Sequence, residues 1–217
     1  MIRFTFQPAW PGKPAARSAT ISPRSSAVTR SSASRHSTQS WRAAPTVSDF
    51  VFPWWKSGAK EQTRAKLLWD DEYLYFHAEM EDADLYADER QTNGRIWEND
   101  VFELFFKPSE TSLAYYEFQI NPLNAQFHTF LPSRGAGGMK RALTSADDWK
   151  FNLKTAVLLR GTLNNWRDND TGWSVEGRIP WKDFHRTGGA PKAGDEWRFA
   201  LCRYDYSKNF ESPDLSS

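Results

Sequence analysis

An all-β fold, an antiparallel two-layer β-sandwich of the jelly-roll or immunoglobulin-like kind, is what this chain predicts, and three observations predict it. Short runs alternate apolar and polar side chains with the period of two that a strand imposes. Turn-forming segments such as PSE, SRGAGG and RDNDTG separate those runs. No long stretch repeats its apolar residues at the spacing of a helix.

The elements follow in order. TRAKLLWD (63–70) and YLYFHAEME (73–81) flank Asp71 and Glu72, a separation short enough for a hairpin. Further strands are predicted over 100–107, 114–121, 125–131, 153–160, 172–179 and 196–205, which makes eight. Pro180 opens the segment WKDF, a helical turn started by a proline at its first position. Residues 1–40 carry Pro8, Pro11, Pro14 and Pro23 among Ser, Arg and Ala and hold no sustained period, so they are read as a disordered tail rather than an organellar transit segment. The sandwich is assigned to 41–217 as a single domain.

Composition narrows the function. A formal charge of +1 over 217 residues argues against a strongly basic nucleic-acid binder. The charge is uneven: no acidic residue precedes Asp49, and residues 1–48 hold seven Arg or Lys and ten Ser. The lone Cys202 cannot form an internal disulfide, so the core must hold the fold. No run approaches the roughly 18 apolar residues of a membrane helix, and no secretory signal core is visible.

Chemistry concentrates between Trp97 and Pro122. Glu103 and Glu117 stand in mid-strand, where burying an unpartnered carboxylate costs several kcal/mol or forces its protonation. Alternation puts Val101, Glu103, Phe105 and Lys107 on one face, with Phe102, Leu104 and Phe106 on the other. In the next strand Tyr115, Glu117, Gln119 and Asn121 oppose Tyr116, Phe118 and Ile120. If the two strands are neighbours, both acids share a face, and Arg198 or Arg203 of the last strand supplies a counter-charge. Carboxylates, amides and a guanidinium bind sugar hydroxyls, and indoles stack on sugar rings. Plain solvent-facing alternation produces the same row. Of the eleven tryptophans, Trp149, Trp173, Trp181 and Trp197 have core positions and Trp69 belongs to the first hairpin; Trp54, Trp55 and Trp97 fall in predicted loops, where an indole suits ligand stacking.

Six segments in order, TRAKLLWDDEYLYFHAEMEDADLYA, IWENDVFELFFKP, YYEFQINPLNAQF, GTLNN, DTGWSVEGRIPWKDF and GDEWRFALCRYDYS, are similar to family 9 carbohydrate-binding modules and related DOMON-like sandwiches over about residues 41–210. The resemblance implies noncatalytic binding of chain ends or small sugars, of cellulose or xylan origin, between two tryptophans. It also implies structural calcium and attachment to glycoside hydrolases, and with them an extracellular or envelope location. Trp97 resembles the first stacking tryptophan, Glu103, six positions on, the hydrogen-bonding acid, and Arg203 a sugar-contacting arginine. The expected carbohydrate-binding set is thus Trp97, Glu103, Glu117, Asn121 and Arg203. Two departures stand out: the family's usual opening is absent ahead of SWRAAPTVSDF, and the chain stops at SPDLSS, where the second stacking tryptophan and final strand are expected. For calcium, Asp82 and Asp84, with Asp88 near them, are the candidate ligands; DNDTG (168–172) is read as a hairpin turn because its glycine comes one position early for a calcium loop.

Two other functions compete. Glu103 and Glu117 are the types of residue that a retaining glycosidase holds about 5 Å apart. A haem-binding redox sandwich would draw on Met80, Met139, His77 and His128, although His77 and Met80 fall on opposite faces of one strand. Neither G-x-S-x-G nor G-x-x-x-x-G-K occurs.

Overall fold

The computed structural model describes residues 5–6, 17–21, 41–42, 44–51, 60–109, 111–133, 150–192, 195–206 and 214–216. Trp54, Trp55, Trp149 and Met139 lie outside them. The eight expected strands are all present, each within one residue of its expected ends: β4 (Thr63–Trp69), β5 (Tyr73–Met80), β6 (Val101–Lys107), β7 (Tyr115–Ile120), β8 (Gln126–Leu131), β9 (Lys154–Arg160), β10 (Gly172–Pro180) and β11 (Trp197–Asp205). Four short strands join them: β1 (Thr5–Phe6), β2 (Arg17–Ile21), β3 (Thr46–Val47) and β12 (Asp214–Ser216). All pairing is antiparallel. One sheet runs β1-β2-β11-β6-β7-β8, with β12 also on β11; the other runs β3-β4-β5-β10-β9.

Two of the short strands, β1 and β2, lie among the described residues of the stretch 1–40. β2 pairs with the first half of β11 through Trp197↔Ile21 to Ala200↔Ser18, while β12 meets the second half. Backbone pairing to a sheet edge requires no apolar period, so nothing in this Ser- and Arg-rich sequence signals it.

Alternation builds the core. Phe102, Leu104 and Phe106 of β6, Tyr116, Phe118 and Ile120 of β7, and Trp197, Phe199 and Leu201 of β11 face Leu74, Phe76, Ala78 and Met80 of β5 and Trp173, Val175 and Ile179 of β10. Fully burying each large side chain contributes about 1.5–3 kcal/mol. Gly177 lies opposite Phe76 because a β-carbon there would come 2.3 Å from the ring's Cζ. WKDF lies in a 3-10 turn, Trp181–Thr187, which Pro180 precedes rather than begins. Its Phe184 packs edge-on against Tyr116 and Trp197, at 4.9 and 5.0 Å, and closes one end of the core.

Local chemistry fixes the hairpins. Asp70 accepts the amides of Glu72 and Tyr73, both at 2.8 Å, and so folds the β4–β5 turn. In DNDTG, Asp170 accepts the amides of Thr162 at 2.7 Å and Leu85 at 2.8 Å, bracing the β9–β10 hairpin against the segment after β5. Gly172 follows with φ +127°, and a β-carbon there would come 1.9 Å from the Met80 carbonyl oxygen.

Candidate functional site

The outer face of the longer sheet carries the polar row that the sequence singles out. Register alone orders it: Cys202 of β11 stands opposite Glu103 of β6, Glu103 opposite Gln119 of β7, and Gln119 opposite Phe127 of β8. These four share the face turned away from the inter-sheet core, and adjacent strands lie about 4.8 Å apart. Trp97 sits in the 3-10 turn Ile96–Glu98 just before β6 and packs edge-on against Phe127, with ring centres 5.4 Å apart and planes at 84°. The indole is half-buried and stands at the end of the row.

Gln119 ties the two acids together. Its amide nitrogen donates to Glu103 at 2.8 Å and to Glu117 at 2.6 Å. Those two bonds fix which end of the amide faces the carboxylates. The amide oxygen of Gln119 is buried and receives no hydrogen bond. The sequence places Gln119 on this face without giving it a role, since its position between the acids along β7 becomes a bridge only once β6 is in register. Glu103 and Gln119 are 0% and 2% exposed and Glu117 8%, so this hydrogen-bonding surface is recessed beside the more accessible indole.

The segment that carries Trp97 is held by its neighbours. Asn99 accepts the amides of Asp88 and Glu89 at 3.2 and 3.0 Å and donates to Asp88 at 2.8 Å. Asp100 accepts the amides of Tyr86 and Tyr206, both at 2.6 Å. Asn121 donates to the Glu89 carbonyl at 2.8 Å and to Asn99 at 3.1 Å and accepts the Ala125 amide at 2.8 Å. Its side chain is fully buried and spent on the segment between Glu89 and Asn99, so Asn121 holds the loop that carries Trp97 rather than facing the row.

Arg203 is not brought to this face. It shares the alternation of Trp197, Phe199 and Leu201, points between the sheets and is 1% exposed. There it donates to the Glu81 carbonyl at 2.6 Å, to Asp82 at 3.1 Å and to Asp205 at 2.7 Å, with Glu61 at 3.7 Å. Burial opposes its charge, but Asp205, Asp82, Asp100 and Glu61 outweigh that and raise its pKa. Burial is the main cause that lifts Asp82 to about 7, with Asp205 adding to it and Arg203 pulling the other way. Burial also pushes Asp100 well above the usual carboxylate range, with Asp82 and Asp205 reinforcing it.

Among the described residues, this cluster is the one group of three acidic side chains close enough together to hold a metal ion. Carboxylate oxygens of Glu61, Asp82 and Asp205 lie within 4.8 Å of one another, whereas Asp84 offers its backbone amide to Asp82 at 3.0 Å. Oxygen donors suit calcium. The same three carboxylates, however, already converge on Nη2 of Arg203, so the residues present do not fit the ion. Of the haem candidates, Met80 and His77 do not converge: Met80 is fully buried between the sheets, and His77 lies on the outer side of β5, its ring 5.5 Å from that of Trp41.

A two-sheet sandwich whose outer face joins an indole to a row of carboxylates and amides has the make-up of a sugar-binding module. Residues 36–213 match the family model described as carbohydrate family 9 binding domain-like, and the chain belongs to that family. Endo-1,4-beta-xylanase A of Thermotoga maritima is 32% identical over 130 residues, 57% of this chain and 9% of the relative. Exoglucanase XynX of Acetivibrio thermocellus is 28% identical over 145 residues, 59% of this chain and 13% of the relative. The chain therefore spans only a small part of the curated relatives it matches. Among solved structures, a protein from Bacteroides uniformis superposes with a TM-score of 0.62 at 17% identity, covering 81% of this chain and 77% of that one. A family 9 module from Caldicellulosiruptor kristjanssonii in complex with glucose gives 0.50 at 18% identity, over 81% and 75%. These two likenesses establish the shared sandwich. No helix among the described residues is long and apolar enough to cross a membrane.

Proposed function

We propose that this chain is a noncatalytic carbohydrate-binding module that takes a small sugar or the end of a polysaccharide chain against Trp97. The observation that carries the reading is the single row in which Trp97, standing on Phe127, is followed across the strands by Gln119 and Glu103, with Glu117 tied to the same amide. An indole stacks on the apolar face of a pyranose ring. The amide of Gln119, tied to both carboxylates, holds this hydrogen-bonding row together beside the indole. Hydroxyl-rich ligands gain most from such acceptors, because a buried polar group left unmatched costs about 1–3 kcal/mol.

The relatives, an endo-1,4-beta-xylanase and an exoglucanase, support cellulose- or xylan-derived sugars as the ligand class and a glycoside hydrolase as the polypeptide context. Intrinsic tryptophan fluorescence titrated with glucose, cellobiose, xylose and xylobiose tests the reading. A saturable shift is expected with at least one of these sugars and should disappear in Trp97→Ala while the variant keeps its fold. Affinity equal to wild type in folded Trp97→Ala would sink the proposal.

A further inference from the structure

We propose that the guanidinium of Arg203 takes the place of a bound divalent cation in this chain, clamping the two sheets at their acidic end so that the fold does not depend on calcium. Arg203 reaches out of β11 in the longer sheet. Glu61 precedes β4, and Glu81 and Asp82 follow β5, so three of its partners belong to the other sheet. Asp205, two residues along β11, completes the ring.

Geometry makes the two cations mutually exclusive. Nη2 of Arg203 lies 2.7, 3.1 and 3.7 Å from the carboxylates of Asp205, Asp82 and Glu61. Carboxylate oxygens of these same three residues lie within 4.8 Å of one another, as a shared metal ion would require. A calcium ion needs contacts of about 2.4 Å to its oxygens and would therefore lie against the guanidinium. Repulsion between neighbouring positive charges is strong where water is excluded. Nor does the arginine readily vacate the position, since it is 1% exposed and its Nη1 is fixed by the Glu81 carbonyl at 2.6 Å. Asp100, the nearby fourth acid, has both oxygens taken by the amides of Tyr86 and Tyr206.

Thermal midpoints of wild type, Asp205→Asn and Arg203→Met, each measured in millimolar calcium chloride and again in EGTA, decide the matter. Wild type is expected to respond to calcium no more than Asp205→Asn does. A larger response in wild type would overturn the proposal, because the carboxylates would then hold the ion in spite of the guanidinium. Arg203→Met removes the cation and leaves the carboxylates facing one another, so it should melt several degrees lower in EGTA and recover part of that loss in calcium. Folding only in the presence of calcium would be the same outcome in its extreme form. An Arg203→Met protein that folds in EGTA and ignores calcium would also overturn the proposal, since the guanidinium would then not be standing in for a metal.

Discussion

Gln119 is a residue whose removal separates binding from folding. It donates to Glu103 and Glu117 and keeps a free acceptor oxygen, all in the space of one buried side chain. Gln119→Leu keeps the approximate volume but withdraws the donor from two recessed carboxylates. The expected loss of stability is about 1–3 kcal/mol, read from urea unfolding, together with a fall in sugar affinity of about tenfold or more. Trp97→Ala should show the opposite balance, with most affinity lost and only about 0.5–1.5 kcal/mol of stability lost with the edge-on contact to Phe127. Unchanged affinity in folded Gln119→Leu would remove the amide from the site. The shared face of Glu103, Glu117 and Gln119 is legible in the sequence, because strand parity dictates it. Parity also puts Arg203 with Trp197, Phe199 and Leu201, whose apolar character marks the inward side; the motif resemblance pointed the other way, and the alternation prevails. Asn121 shares the parity of the acids, yet its role depends on the path of the loop at 89–99, which no local pattern specifies.

At the scale of elements, the strands that the sequence reveals are those that bury one face. β4 to β11 each alternate against the core, and their ends agree with the pattern to within one residue. β1, β2, β3 and β12 are two to five residues long and attach by backbone pairing, so no period of side chains announces them. Within β10 the sequence V-E-G-R-I looks like an interrupted strand, and the interruption has a use. Gly177 is where the inner face must make room, since a β-carbon would come 2.3 Å from Phe76 Cζ and 3.0 Å from the Lys154 carbonyl oxygen. Gly177→Val suits a strand by intrinsic preference but overfills this position, so it should destabilise the protein by about 1–3 kcal/mol. A urea midpoint equal to or above that of wild type would show that Phe76 moves aside at no cost. Combining the change with Phe76→Leu should recover part of the loss, because the two residues share one volume.

Over the whole molecule, the end of the sandwich that holds Arg203 gathers more acid than base, and this sets a pH dependence. Glu61, Asp82, Asp100 and Asp205 surround one arginine. Burial lifts the Asp82 carboxyl from its ordinary 3.8 to about 7 in the folded protein, and raises Asp100 in the same direction. Folding therefore takes up protons at these sites. A raised carboxyl pKa contributes stability that is fully present below the unfolded value and is lost as pH rises through the folded one. His77 and His128 run the other way: burial lowers both from 6.5, so what they contribute is present above that value and lost as pH falls. The opposing trends overlap in mild acid, and above 6.5 the histidine contribution to the pH dependence fades as the imidazoles become neutral in the unfolded state as well. Between there and a pH of about 8, unfolding free energy should fall as pH rises, by at most about 1.4 kcal/mol per unit for each proton released. Asp82→Asn has no proton to lose and should flatten this slope relative to wild type, whatever it does to stability at a single pH. Urea unfolding at several pH values across that window provides the comparison. Equal slopes in the two proteins would mean that Asp82 is already ionised on entering the window, with Arg203 rather than a proton balancing its charge.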